Sequence, residues 1–417
     1  MTPVRPTLRW YLTRLVIYLL LIAFGLFMLF PFIYMAATSL KVSSDVFHYP
    51  PRLLPYTAQE YVNAKGEKQP IYLVDVKGEK RQMLLTGEKL PHVFFTTEDK
   101  LNGNDKRASE VVIALPRDEV EKGAATKTGE TVSKPDASGT PQTFDVYMVT
   151  VDGPPQRLVE AYKGSLDKFV DLNDASISAY AVERNAEKVE FVNFQVGNYN
   201  AVLQLNLDRA LVNTTLVTLC VVTGQLITSI FGGYAFSRVN FKGRDTLFLL
   251  YLGSIMIPFV VLIIPMYRLM VVMQWQNKLV SLIIPWVFTA YGTFLMRQFF
   301  LSIPKEIEEA ALLDGASRMR VLWAIFVPLS TPAIATLAIF SFLYAWNSFL
   351  WPLLIIGEGN TMNHVLTLAL IRLSNSYADQ PNLVLTGAAV AILPPVMIFI
   401  FAQRYFIEGV ASAGVKG

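Results

Sequence analysis

A single cysteine, Cys220, and three widely separated histidines, His48, His92 and His364, are all that this chain offers to sulfur or imidazole chemistry. One cysteine permits no intrachain disulfide. Histidines so scattered argue against a zinc site or a histidine-based catalytic centre. Charge is also scarce, at 17% of the 417 residues against 53% hydrophobic. With a positive mean hydropathy, that balance excludes an ordinary soluble protein and implies a chain that crosses a membrane several times. The loop Gly-x-x-x-x-Gly-Lys-Ser/Thr is missing, so the chain does not bind ATP in that manner. No nucleophile–base dyad or intramembrane carboxylate stands out, so no catalytic residue, metal ligand or nucleic-acid partner is expected.

What is present is uneven. Between Lys41 and Asn206 there are 20 Lys and Arg against 24 Asp and Glu, whereas the remainder holds 16 against 9. Two physically different objects share one chain. Charge-free windows long enough for a hydrocarbon layer of about 30 Å fall at Leu15–Ala37, Ala210–Phe236, Thr246–Tyr267, Leu279–Met296, from Pro328 to Ile356, and Leu383–Gln403. The expected fold is therefore an α-helical polytopic membrane protein of six transmembrane helices. The length of the first run favours an uncleaved anchor over a signal peptide. Pro258, Pro265, Pro285, Pro394 and Pro395 fall within these spans, as kinks or as static features.

The links on one side carry Arg5, Arg9, Arg14, Arg238, Lys242, Arg244, Arg297, Lys305, Arg318, Arg320, Arg404 and Lys416. The short links on the other side carry only Arg268, Lys278 and Arg372. This asymmetry puts both termini in the cytoplasm. It also puts residues 41–206 outside it. That stretch reads as β-rich: "PIYLVDV", "RQMLLT", "HVFFTT", "VVIALP", "TFDVYMVTV" and "KVEFVNF" are short runs of β-branched and aromatic residues. Gly-Glu-Lys recurs at 66–68, 78–80 and 87–89, where hairpin turns are expected. "RLVEAYKGSLDKFVDL" reads as more helical, and 122–142 as a flexible loop with one sizeable apolar residue, Val132. A docking or scaffolding module of about 135 residues fits better than an enzyme, for want of a recognisable site.

Between the fourth and fifth runs lies "IPKEIEEAALLDGASRMRVLWAIFVP". Pro304 suits a helix start; Glu306, Glu308 and Glu309 follow in the first two turns, and the earliest of them complement the helix dipole. Ile307, Ala310, Ala311 and Asp314 share one face. Gly315 is the natural stop, and Ser317 caps the helix that re-enters the membrane. The short helix either docks against another protein or lies on the bilayer.

The stretch resembles the EAA loop of ABC-importer permease subunits: Glu309-Ala310-Ala311, Asp314-Gly315-Ala316, then Ile325 and Pro328 at the family's spacing. "YAFSRVNFKGRD", "AWNSFLWPLLI" and the C-terminal "EGVASAGVKG" are similar to the sugar-importer branch of the maltose-transporter type, as are "FHYPPRLLP" and "FQVGNYNAVLQLNLDRALVNTTLV". The resemblance covers about residues 10–56 and 190–417 and leaves out the β-rich insert. It implies a domain plan: 1–40 as cytoplasmic N-terminus and first span, 41–206 as an extracytoplasmic loop with an insert at about 57–190, and 207–417 as a five-helix core with a coupling loop at 297–327. It implies a bacterial inner-membrane subunit forming half of a pathway with a second permease. Two cytoplasmic ATP-binding subunits hold ATP and Mg²⁺, and an extracytoplasmic sugar-binding protein delivers substrate; the chain itself carries no cofactor. Residue by residue, Glu309, Ala310, Ala311, Asp314 and Gly315 would contact the ATPase.

Tyr344, Trp346, Asn347 and Ser348 cluster in the fifth run. An aromatic plate beside an amide suits a sugar. The same residues serve equally as polar contacts between helices or as interface anchors. Two other readings remain: a polytopic sensor or assembly factor with an extracytoplasmic ligand-binding domain, and an importer of glycerol phosphate or another polyol.

Overall fold

The computed structural model describes residues 8–414 except 64–65, 77, 103–104, 106–108, 137–139, 152, 184–185 and 358. Arg5 and Lys416, counted above for orientation, lie outside the described residues. The chain divides into two compact units, Met1–Pro55 with Asn193–Gly417, and Tyr56–Val192.

The first unit is helical. Its principal helices are α1 (Leu8–Thr38), α2 (Asp208–Arg238), α3 (Arg244–Gly253), α4 (Phe259–Val272), α5 (Ala290–Ser302), α6 (Lys305–Leu313), α7 (Thr331–Trp346), α8 (Leu366–Ser376) and α9 (Pro381–Gly414). Among the described residues, four stretches are long and apolar enough to cross a membrane unaided: Trp10–Thr38, Gly197–Arg238, Val280–Ser302 and Pro381–Gln403. The other two expected spans are each a sharply bent pair of helices. Arg244–Met256 meets Phe259–Val272 at 97°, and Arg318–Leu329 meets Thr331–Trp346 at 79°. At the first break Pro258 lacks an N–H and forces Ile257 into extended backbone (ψ 114°). The second falls just before Pro332, which did not stand out in the sequence. Pro285 lies in a 3₁₀ turn ahead of α5. Pro265, Pro394 and Pro395 stay inside helices. The apolar run to Ile356 also stops at Trp346 and resumes as Leu350–Ile355.

Helices α2 and α5 approach closely because glycine faces the contact. A Cβ added at Gly232 would lie 2.9 Å from Thr293 Cγ2 and, just ahead of α5, one at Gly224 2.5 Å from Val287 Cγ1. One at Gly233 would lie 2.6 Å from Met296 Cβ and 2.9 Å from the Arg297 nitrogen. Side chains of α2 add polar ties: Gln225 donates to the Trp286 carbonyl at 2.7 Å and accepts from Ser341 Oγ at 2.6 Å.

Where the helical unit releases and recovers the chain, a buried polar cluster forms. Asp45 pairs with Lys41 (3.7 Å) and Arg52 (2.5 Å). Asn198 donates to the carbonyls of Ser39 and Lys41, both at 2.9 Å, and Thr386 of α9 donates to Ser39 at 3.0 Å. The Asn193 amide donates to the Pro55 carbonyl at 2.9 Å.

The second unit is antiparallel β. Its strands are β1 (Tyr56–Ala58), β2 (Glu60–Val62), β3 (Lys68–Val76), β4 (Glu79–Thr96), β5 (Ile113–Pro116), β6 (Ala125–Pro135), β7 (Pro141–Val149), β8 (Gln156–Asp171), β9 (Ser178–Ala181), β10 (Glu187–Lys188) and β11 (Glu190–Val192). A nine-stranded sheet runs β10-β3-β4-β8-β7-β6 among the described residues, with β2, β5 and β9 paired to β3, β4 and β8; β1 and β11 pair separately. Buried Val93, Phe95, Leu115, Val149 and Leu158 form one apolar cluster, and Phe144, Val146, Val159 and Ala161 another.

Two sequence expectations fail here. "RLVEAYKGSLDKFVDL" is not helical: it forms strand β8, which pairs with β4, β7 and β9. Ladder hydrogen bonds on both edges outweigh a helix-compatible pattern. Residues 122–142 are not a flexible loop: β6 pairs with β7 from Ala125↔Val149 to Pro135↔Pro141, with 137–139 outside the described residues. Of the three Gly-Glu-Lys copies, the first two sit in the β2–β3 and β3–β4 turns. The third falls at an irregularity inside β4, between Leu85 and Lys89. Their glycines take φ of +80°, +88° and +79°, a region open to glycine without penalty.

Candidate coupling loop and cleft

Helix α6 begins after Pro304, which sits one residue earlier than expected, as its cap. It ends in a Schellman arrangement. The Gly315 amide donates to the Leu312 carbonyl at 3.1 Å, the Ala316 amide to Ala311 at 3.0 Å, and Gly315 takes a φ of +83°. Ser317 then caps Arg318–Val321, its Oγ accepting from the Arg320 amide at 3.3 Å. Glu309, Ala310, Asp314 and Gly315 are exposed. Ala311 is half-buried and packs with Leu312 and Ala316 against the core around Phe300, Val321 and Phe326. The free face is completed by Ile307, 40% exposed, and Leu313, 89% exposed. Leu313 went unnoticed in the sequence because the four-residue pattern skips it.

The sequence also gave no sign that Glu308 is the inward carboxylate. It is buried, 3.5 Å from Arg238 Nη1, and accepts from Tyr234 Oη at 3.2 Å. Arg238 closes α2, and its Nη2 donates to the carbonyls of Phe300 and Ile303. Its guanidinium carbon lies 5.0 Å from the centre of the Phe326 ring. A neighbouring cation, Arg297, donates to the Phe236 carbonyl at 3.1 Å and pairs with Asp245 at 3.5 Å.

A cleft of about 1080 Å³ opens between α2, the α3–α4 break, α5 and α7. Gln225, Ser254, Phe259, Trp286, Tyr291 and Tyr344 are among its walls, and the described lining residues include no Asp, Glu, Lys, Arg or His. Trp286 stands 5.1 Å from Phe259 and 5.5 Å from Tyr344, ring centre to ring centre. An adjoining hollow of about 320 Å³ is lined by Tyr344, Asn347 and Ser348. Three of the four residues singled out in the fifth run therefore share a surface. Trp346 does not. It is buried, its indole donates to the Ala391 carbonyl of α9 at 3.1 Å, and it stacks on Phe342 at 5.3 Å. Asn347 donates to the Leu343 carbonyl of its own helix at 2.9 Å.

A helical membrane unit that exposes a capped surface helix between two spans has the layout of a transport permease. Residues 225–412 match the family of binding-protein-dependent transport system inner membrane components. The arabinooligosaccharides transport system permease protein AraQ of Halalkalibacterium halodurans is 37% identical over 205 residues, covering 49% of this chain and 73% of that one. The sn-glycerol-3-phosphate transport system permease protein UgpE of Agrobacterium fabrum is 34% identical over 218 residues, covering 52% and 77%. A solved bacterial ABC transporter involved in import of the acidic polysaccharide alginate aligns over 52% of this chain and 81% of its own at 23% identity, with a TM-score of 0.45. The chain belongs to this inner-membrane permease family, in its sugar ABC-importer branch.

Proposed function

We propose that the chain forms half of the translocation pathway of an ATP-driven importer for a neutral carbohydrate, an oligosaccharide as in the AraQ name. In this reading each bent helix pair counts as one span, giving six. The Lys/Arg asymmetry puts both termini and α6 in the cytoplasm, and the β-rich unit on the periplasmic side. A second permease completes the pathway, an extracytoplasmic sugar-binding protein delivers the substrate, and ATP with Mg²⁺ is held by two separate cytoplasmic subunits. The observation that carries the reading is α6 itself. Ile307, Glu309, Ala310, Leu313, Asp314 and Gly315 project from the helix, and nothing among the described residues covers them. An ATPase groove fits that face. Closure of the ATPases on ATP then favours one arrangement of the spans, because the nucleotide binds the two states with different affinity.

The cleft supports a neutral substrate. Its aromatic plates and hydroxyls suit the apolar face and hydroxyl groups of a sugar, whereas a phosphate ester calls for a cation among the lining residues. The UgpE relatives favour glycerol phosphate instead, so both are to be tried. The tagged chain is purified from its native membrane beside Leu313→Arg. Wild type should bring down ATP-binding subunits and the variant should lose them. The captured wild-type complex, in vesicles, should take up labelled arabinotriose and not glycerol 3-phosphate. An ATPase that stays with Leu313→Arg sinks the docking face, and preferential uptake of glycerol 3-phosphate sinks the substrate class.

A further inference from the structure

Arg238 touches four successive pieces of the helical unit. It belongs to the last turn of α2. It donates to the carbonyls of Phe300 and Ile303 where α5 ends, where the negative end of a helix dipole also attracts a cation. It pairs with Glu308 of α6, and it lies against Phe326 on the way to α7. Tyr234, one turn back on α2, donates to the other oxygen of Glu308, so the carboxylate is gripped twice by the same helix. Both charged side chains are nearly excluded from solvent, at 3% and 10% exposure.

A buried ion pair is weak evidence for stability, since apolar residues of similar volume often serve as well. What a planar guanidinium supplies beyond packing is direction, because its fixed fork holds several acceptors at set angles. We infer that Arg238 and Glu308 are positioning residues, a latch that stays closed through the transport cycle and delivers any displacement of α6 to α2 and α5 without slack. The inference rests on the reading that ATPase subunits dock on α6. It adds that the force leaves α6 sideways through its buried carboxylate as well as along the chain through Gly315.

The test uses the complete complex in proteoliposomes, with Cys220→Ser and a reporter Ser254→Cys in the cleft wall. Labelling of this chain by a membrane-impermeant maleimide is followed with and without ATP and vanadate. In the parent, trapping should change the labelling rate about fivefold or more. The apolar triple variant Arg238→Met, Glu308→Leu, Tyr234→Phe leaves no charge buried without a partner. It should retain the ATPase and hydrolyse ATP within about twofold of the parent, yet show no change in labelling. Arg238→Lys, which keeps the charge and loses the fork, should behave similarly. A full labelling response in the triple variant or in Arg238→Lys overturns the latch, since packing or charge alone then suffices. Loss of the ATPase from a folded triple variant also overturns it, by placing the pair in the docking surface. Retention of the ATPase by Leu313→Arg separately condemns the docking reading beneath it.

Discussion

Gly315 is held at φ +83° by the two hydrogen bonds that close α6, while nothing within 4 Å would obstruct a side chain there. Any penalty for replacing it is therefore conformational, about 1–2 kcal/mol for an ordinary L-residue forced left-handed. Asparagine tolerates that region better than alanine, and a β-branched residue least. ATPase retention during purification should consequently fall in the order Gly, Gly315→Asn, Gly315→Ala, Gly315→Val. An order that instead follows side-chain size alone, with alanine above asparagine, would place the cause in contact with a partner. Residues of this kind were readable from sequence because their roles are local: Gly315 and Ser317 act on atoms three or four positions away. Glu308 was not. Of the acidic residues near the start of α6, nothing nearby in sequence distinguishes the one that meets Arg238, a residue seventy positions distant. The contact that holds Trp346 was illegible for the same reason, since its partner Ala391 lies on another helix.

Between elements, the seam of α2 against α5 is set by glycines that admit no Cβ. At Gly233 the obstruction is the backbone of Met296 and Arg297, which cannot rotate aside. Gly233→Ala should cost about 1–3 kcal/mol by overpacking and lower the thermal midpoint of the detergent-solubilised protein. Gly253→Ala, at the end of α3 with nothing within 4 Å of an added Cβ, serves as the control and should leave the midpoint unchanged or slightly raised. Equal midpoints for both variants would show that the seam yields more readily than its distances imply. The long apolar helices were legible because a bilayer demands uninterrupted hydrophobic length. Their breaks were only half legible: Pro258 bends its span by steric necessity, whereas Pro394 and Pro395 do not interrupt α9. Strand β8 was misread because its charged and apolar residues satisfy a helical period as well as a strand, and only pairing with distant β4 and β7 decides.

At the scale of the molecule, the Tyr56–Val192 unit has its own apolar clusters and its own sheet. The residues that fasten its two flanks, Lys41, Asp45, Arg52 and Asn198, all belong to the helical unit. Excision of residues 56–192, with Pro55 joined to Asn193 through a short Gly-Ser linker, should leave a chain that inserts and still co-purifies with ATP-binding subunits. Membrane yield and pull-down measure this, and loss of both would show that the helical unit depends on the β-rich one.

The hydrogen bond from Asn193 to Pro55 has a consequence for descent. Where outgoing and returning strands of chain already touch, a stretch of gene can be spliced in or cut out at one point, and nothing downstream has to move to accommodate it. A transporter built in this way can acquire a new folded module in a single recombination event, with its membrane machinery inherited unaltered.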